Sequence, residues 1–220
     1  MRKLKIFLAD LVHNRSIYEY GFPLNIGLIA SVVKEKYGNQ VELVLFKFAD
    51  HLIESLDQQP DIVAFSNYDW NVSLNRTITS LVHETNSNIL TVMGGPNIRK
   101  HDEGVREFLL SFPDVDIYML HEGEEPFCKL IEHVLSVFPC DLRKSIIDDA
   151  NLPNSAFLSE AGSLVINRSC ELSQGNPIPY PSPWLNGLLD PFFNQKEFPL
   201  SPIIETNRGC PYQCTFCTWG

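Results

Sequence analysis

Between residues 4 and 138, short apolar runs alternate with longer stretches in which apolar positions recur every three or four residues. The runs at 4–9, 41–46, 62–66, 89–93 and 115–120 predict strands, and the periodic stretches near 25–37, 49–58, 72–86, 101–111 and 124–138 predict helices. Strands that are apolar at almost every position are covered on both faces, and their alternation with helices implies right-handed βαβ crossovers in a parallel sheet. The expected fold is therefore α/β, a Rossmann-like or flavodoxin-like five-stranded parallel sheet. In such sheets ligands bind at the carboxyl ends of the strands.

Those ends carry the polar and conformationally unusual residues. Asp10 and a loop to Pro23 follow the first strand, and Ser66-Asn67-Tyr68-Asp69-Trp70-Asn71 follows the third. Gly94-Gly95-Pro96-Asn97 follows the fourth, and His121-Glu122-Gly123-Glu124-Glu125 follows the fifth. Glu124 and Glu125 read as carboxylates favoured in the first turn of the next helix. Beyond 138 the pattern changes. Prolines become dense, and one hairpin is expected, pairing 156–158 with 164–166 around Glu160-Ala161-Gly162-Ser163. This divides the chain into a first domain over 1–138, a linker with a small β-hairpin over 139–200, and the start of a second domain over 201–220. The last opens with a strand predicted at 202–207.

Composition narrows the class. A net charge of −10 with no basic tract argues against a nucleic-acid surface or an anionic membrane, which need clustered Lys and Arg. No apolar run approaches the roughly 18 residues of a membrane helix, and the N-terminus reads as a strand rather than a signal peptide. The expectation is a cytoplasmic protein, in which clustered cysteines mean metal or redox chemistry rather than disulfides.

Such a cluster stands at Cys210-Pro211-Tyr212-Gln213-Cys214-Thr215-Phe216-Cys217. The C-x3-C-x2-C spacing supplies three thiolates within one loop. Structural zinc takes four ligands, commonly as two separated pairs, and ferredoxin sites supply four cysteines per cluster in other spacings. An iron–sulfur cluster with one iron left open is the favoured reading, with zinc or unligated thiols as alternatives. Cys128, Cys140 and Cys170 are scattered and read as small buried side chains.

Arg208-Gly209 followed by this loop, with Phe216 before the last cysteine, resembles the cluster loop of radical SAM enzymes. The resemblance implies that Cys210, Cys214 and Cys217 bind a 4Fe-4S cluster whose fourth iron takes S-adenosylmethionine, with Phe216 near the adenine. Upstream, Pro23-Leu24-Asn25-Ile26-Gly27-Leu28-Ile29-Ala30, Ser66 with Trp70, Gly94-Gly95-Pro96 and Glu122-Gly123-Glu124 resemble the cobalamin-binding domain that precedes many radical SAM domains. Tyr180-Pro181-Ser182-Pro183-Trp184-Leu185, with Gly187-Leu188-Leu189-Asp190, resembles their connector. The implied cofactors are cobalamin, a 4Fe-4S cluster and S-adenosylmethionine. Ser66, Trp70, Gly94, Gly95 and Pro96 are the implied cobalamin contacts. Glycines at a strand end fit that role because a backbone without Cβ permits close approach, although a tight βα turn explains them equally.

One departure from the family stands out. Cobalamin proteins that replace the lower axial base with histidine carry D-x-H-x-x-G after strand one, whereas Asp10-Leu11-Val12-His13 sets the histidine one place late and Arg15 occupies the glycine position. His13 is thus expected to be an ordinary loop residue. The implied activity is radical chemistry on an unactivated substrate, methyl transfer first and rearrangement second. The implied partners are a small-molecule or biosynthetic-intermediate substrate and a reductant such as flavodoxin or ferredoxin. Only the first strand of a radical SAM barrel is expected here, so the chain by itself is expected to be inactive and to be the front of a longer protein. Two other readings stand beside this one: a cobalamin-binding module without catalysis, and a flavodoxin-like nucleotide- or flavin-binding domain.

Overall fold

The computed structural model describes residues 2–13, 20–139, 142–148, 152–168, 180–194, 199–206, 212 and 214–216. Five parallel strands form the centre: β1 (Leu4–Val12), β3 (Val41–Phe48), β4 (Ile62–Ser66), β5 (Leu90–Gly94) and β6 (Ile117–Met119). Helices α1 (Leu24–Tyr37), α2 (Ala49–Ser55), α3 (Val72–Thr85), α4 (Asp102–Ser111) and α5 (Glu124–Val137) connect them. The five strands and five helices predicted over residues 4–138 are present within a few residues of their expected limits.

Alternation along β1 explains the layering. Leu4, Ile6 and Leu8 point to one face and pack with α1 and α5 residues such as Ile26, Val33, Leu130 and Val134. Phe7, Ala9 and Leu11 point to the other and pack with Leu52, Ile78, Val82, Val105 and Leu109 from α2, α3 and α4. Successive strand side chains face opposite ways, so a strand with helices on both sides must be apolar throughout. Each fully buried Leu, Ile or Phe contributes about 1.5–3 kcal/mol of transfer free energy.

The sheet order is β3-β1-β4-β5-β6-β7-β8, with β7 (Ser155–Leu158) and β8 (Leu164–Asn167) forming the predicted hairpin. The hairpin does not stand apart in a linker. β7 pairs antiparallel with β6 through Tyr118↔Ala156 and Met119↔Ser155, so the sheet has seven strands rather than five. Burial drives this, since Ala156 and Phe157 are covered in the sheet core. Helix α6 (Leu142–Asp148) precedes it. Among the parallel strands the order reverses at β1: the chain steps outward from β1 to β3 and then returns past β1 to β4. A ligand crevice is expected between the carboxyl ends of β1 and β4.

Two further contacts position the site. A short parallel pair joins β2 (Tyr20–Gly21) to β9 (Leu200–Ser201), bringing the far end of the chain beside the loop after β1. The connector segment lies along α1: Asn186 Nδ2 donates to Ser31 Oγ at 2.9 Å, and the Phe22 and Trp184 rings are 4.9 Å apart. At Gly27 a Cβ would meet Pro183 at 3.2 Å, a tight contact that sets helix and connector close together. The strand predicted at 202–207 does not form over 202–206. The extended pairing ends at Ser201, and the following residues run without a ladder partner.

Candidate functional site

A cavity of about 1190 Å³ opens at the carboxyl edge of the sheet, where the strand order reverses. Its floor is formed by the strand ends (Leu8, Asp10, Ala64, Ser66, Gly94, Met119) and its sides by the start of α1 and by His121 to Glu124. Ile203, Ile204 and Glu205 supply a further wall. Pockets for small ligands span roughly 300–1,000 Å³, so this space suits a larger group.

A row of three polar side chains crosses the floor. Leu45, Leu8 and Ala64 belong to one apolar face of β3, β1 and β4, and two residues further along the same face stand Lys47, Asp10 and Ser66. Lys47 Nζ lies 2.8 Å from Asp10 Oδ2, and Ser66 Oγ donates to Asp10 Oδ1 at 2.7 Å. All three are buried, Lys47 and Asp10 at 6% exposure each. Burying a charge pair costs several kcal/mol per ion before the mutual attraction offsets it, and removing one partner alone costs about 3–5 kcal/mol.

The loop after β4 is held by amides. Asn71, fully buried, donates through Nδ2 to the carbonyls of Leu11 and Ser66 and accepts from the Tyr68 amide. Asn75 Nδ2 adds bonds to the Ser66 carbonyl and to Asn71 Oδ1. This fixed loop presents Tyr68 and Trp70, whose rings stack at 4.3 Å and 7°. Trp70 is 61% exposed, so it does not cap the core; it lines the mouth of the cavity. Burial and the Asp10 charge push the Tyr68 phenol above its ordinary range.

Gly94 and Gly95 end β5 against this loop. The Asn67 amide donates to Gly94 O at 2.6 Å, and the buried Tyr118 hydroxyl donates to Gly95 O at 2.7 Å. Gly95 has φ +125, and a Cβ there would fall 2.5 Å from Asn67 O. Only glycine allows the two loops this approach. At Gly123, the start of α5, a Cβ would lie 3.0 Å from Ile29.

Of the residues singled out in the sequence, Ser66, Trp70, Gly94 and Gly95 come together at the cavity, while Pro96 stands outside its lining. His13 lines the cavity, and its carbonyl accepts from the Tyr20 hydroxyl. His121 sits at φ +60, and burial followed by the Lys100 and Arg168 charges hold its imidazole below the ordinary range. Cys210 and Cys217 lie outside the described residues; Cys214 and Phe216 are exposed. Among the described residues no three His, Cys, Asp or Glu side chains are grouped to hold a metal ion, and no helix is long and apolar enough to cross a membrane. Lys47 was missed by sequence reasoning. The signal was present: a lysine two places after Leu45 stands on the inward side of an apolar strand.

The fold and the crevice define a doubly wound α/β domain that takes a large ligand at its topological switch point. The chain belongs to the B12 binding domain family, whose pattern its residues 11–131 match. It is 31% identical over 177 residues to the cobalamin-dependent radical SAM methyltransferase TokK of Streptomyces tokunonensis, covering 79% of this chain and 23% of that protein. It is 30% identical over 171 residues to the 2-(S-pantetheinyl)-carbapenam-3-carboxylate methyltransferase of Streptantibioticus cattleyicolor, covering 73% and 22%. The chain thus spans under a quarter of the length of these two relatives. The structure of the cobalamin-dependent S-adenosylmethionine radical enzyme OxsB with aqua-cobalamin and S-adenosylmethionine bound superposes with a TM-score of 0.68. That likeness, at 19% identity, covers 98% of this chain and 28% of OxsB, and shows the shared α/β fold.

Proposed function

We propose that this chain is the N-terminal part of a cobalamin-dependent radical SAM methyltransferase and that its cavity binds cobalamin. The observation that carries the reading is the cavity itself: about 1190 Å³ at the β1/β4 switch point, within the segment that matches the B12 binding domain. The lining suits the group. Gly94 and Gly95 bring bare backbone to the floor, and the Lys47–Asp10 pair is neutral in sum. Elsewhere, among the described residues, the lining carries Glu122, Glu124 and Glu205 without a further lysine or arginine. A phosphate-rich nucleotide or flavin would meet net negative charge there, whereas a neutral amide-fringed corrin would not.

Within this reading Ser66, Gly94 and Gly95 contact the corrin, the Tyr68–Trp70 stack stands at the cavity mouth, and Leu8, Phe22 and Ile203 exclude water. When bound, cobalamin supplies a cobalt-carried methyl group. Cys210, Cys214 and Cys217 hold a 4Fe-4S cluster open to S-adenosylmethionine, with Phe216 beside the adenine. The substrate is a small biosynthetic intermediate, the reductant a flavodoxin or ferredoxin, and the site of action the cytoplasm.

The test is anaerobic purification with hydroxocobalamin followed by iron and sulfide reconstitution. Retained corrin absorbance at one equivalent supports the cavity assignment, and its absence removes it. Iron and sulfide near four each per chain support the cluster. Triple Cys→Ala substitution at 210, 214 and 217 that left the iron in place would end that claim. Methyl transfer is to be assayed in the longer protein, because these residues span only part of the relatives' length.

A further inference from the structure

We propose that Lys47 is a ligand-contacting residue, presented by Asp10 so that its ammonium donates to carbonyl oxygens on the amide fringe of the bound corrinoid. The inference rests on the reading of the cavity as a cobalamin site and adds a residue which that reading does not need.

A lysine ammonium carries three donors and no acceptor. Among the described residues Lys47 Nζ makes one hydrogen bond, to Asp10 Oδ2 at 2.8 Å, although the side chain is only 6% exposed and lines the cavity. Two N–H groups of a buried cation are therefore left for whatever occupies that space, and buried donors without partners are costly. Asp10 is committed on both oxygens, one to Lys47 and one to Ser66 Oγ. It fixes the ammonium in place while cancelling its charge. Because the Ser66 proton goes to Asp10, the serine oxygen faces the cavity as an acceptor. The floor thus sets donors at Lys47 and an acceptor at Ser66 on either side of the Asp10 carboxylate. A primary carboxamide needs both, since its oxygen accepts and its nitrogen donates.

The competing explanation is that the ion pair only supports the fold. A neutral double variant separates the two. Lys47→Met alone would leave Asp10 buried and unpaired and risks misfolding. Asp10→Asn with Lys47→Met removes both charges, and Asn keeps an oxygen to accept from Ser66. The 220-residue chain and its variants are titrated with hydroxocobalamin by absorbance, and each thermal unfolding midpoint is measured without ligand. The expected result is a double variant whose midpoint recovers toward that of the unsubstituted chain while its corrinoid affinity falls about ten-fold or more, the size of one lost charge-assisted hydrogen bond. A folded double variant that binds as tightly as the unsubstituted chain overturns the proposal and leaves the cobalamin reading standing. Failure of the unsubstituted chain itself to bind hydroxocobalamin overturns both.

Discussion

Replacing Gly95 with alanine should unfold the junction between the two loops that floor the cavity. The new methyl would fall 2.5 Å from Asn67 O and 2.9 Å from Asn67 N, and the residue would have to hold φ +125. The obstruction is backbone, which has no rotamer through which to yield. A non-glycine residue in so sparsely populated a conformation costs about 1–3 kcal/mol. Overpacking a tight contact adds about 1–3 kcal/mol. The sum, about 2–6 kcal/mol, is a large share of the 5–15 kcal/mol typical of a folded domain. Gly162→Ala is the matched control: φ is +73 there, and nothing lies within 4 Å of the built Cβ. It should lose only the backbone contribution, about 1–2 kcal/mol. Urea unfolding of both variants, with midpoints and slopes fitted together, gives the comparison. Because Asn67 follows Ser66 and precedes Tyr68, Gly95→Ala should also weaken corrinoid binding, and Gly162→Ala should not. Equal losses of stability in the two variants would refute the close-approach argument.

Tyr118→Phe removes the proton given to Gly95 O at 2.7 Å in a fully buried setting and should cost about 1–3 kcal/mol, read as a lower thermal midpoint. His121, with its imidazole held below the ordinary range, resists protonation in the folded state. Its contribution to stability is present in full above the unfolded value near 6.5 and is lost as pH falls from there through the depressed folded value. His121→Asn, which tolerates the positive φ, should therefore lose less stability than the unsubstituted chain between pH 7.5 and about pH 5, measured by denaturant titration across that range. Cys128 is fully buried and its thiol is pushed up to about 11, first by burial, whereas Cys214 is exposed. In variants retaining only one of these cysteines, a chromogenic disulfide reagent should label Cys214 at once and Cys128 only after denaturation.

The strands and helices of the α/β core were legible because β1 and its neighbours are apolar on both faces and the helices on one, and local periodicity reports exactly how many faces are covered. Periodicity does not report which neighbour covers them. The hairpin at 155–167 was foreseen, but its union with β6 depends on Tyr118 meeting Ala156, a non-local pairing that neither segment announces. The same limit applies to the strand expected at 202–207. Ile203 and Ile204 read as strand residues, yet they line the cavity while the ladder stops at Ser201. For the site, the glycines were found because conformational freedom at a strand end is a local property. Lys47 was not, because its meaning comes from Asp10 and Ser66, which reach it only across three adjacent strands.

The β2–β9 pair gives the cavity a seam. One side of that wall begins at Tyr20 and the other at Leu200, and a two-residue ladder with its flanking amides, Tyr20 N to Pro199 O and Phe22 N to Ser201 O, joins them. The sheet beneath is held by ladders of up to seven residue pairs between central strands with helices on both faces, whereas this ladder pairs two residues on each strand. Partial opening of a fold follows its weakest cooperative unit. A wall that parts at this seam leaves the floor folded, with Asp10, Ser66 and the paired glycines already in place to receive a ligand.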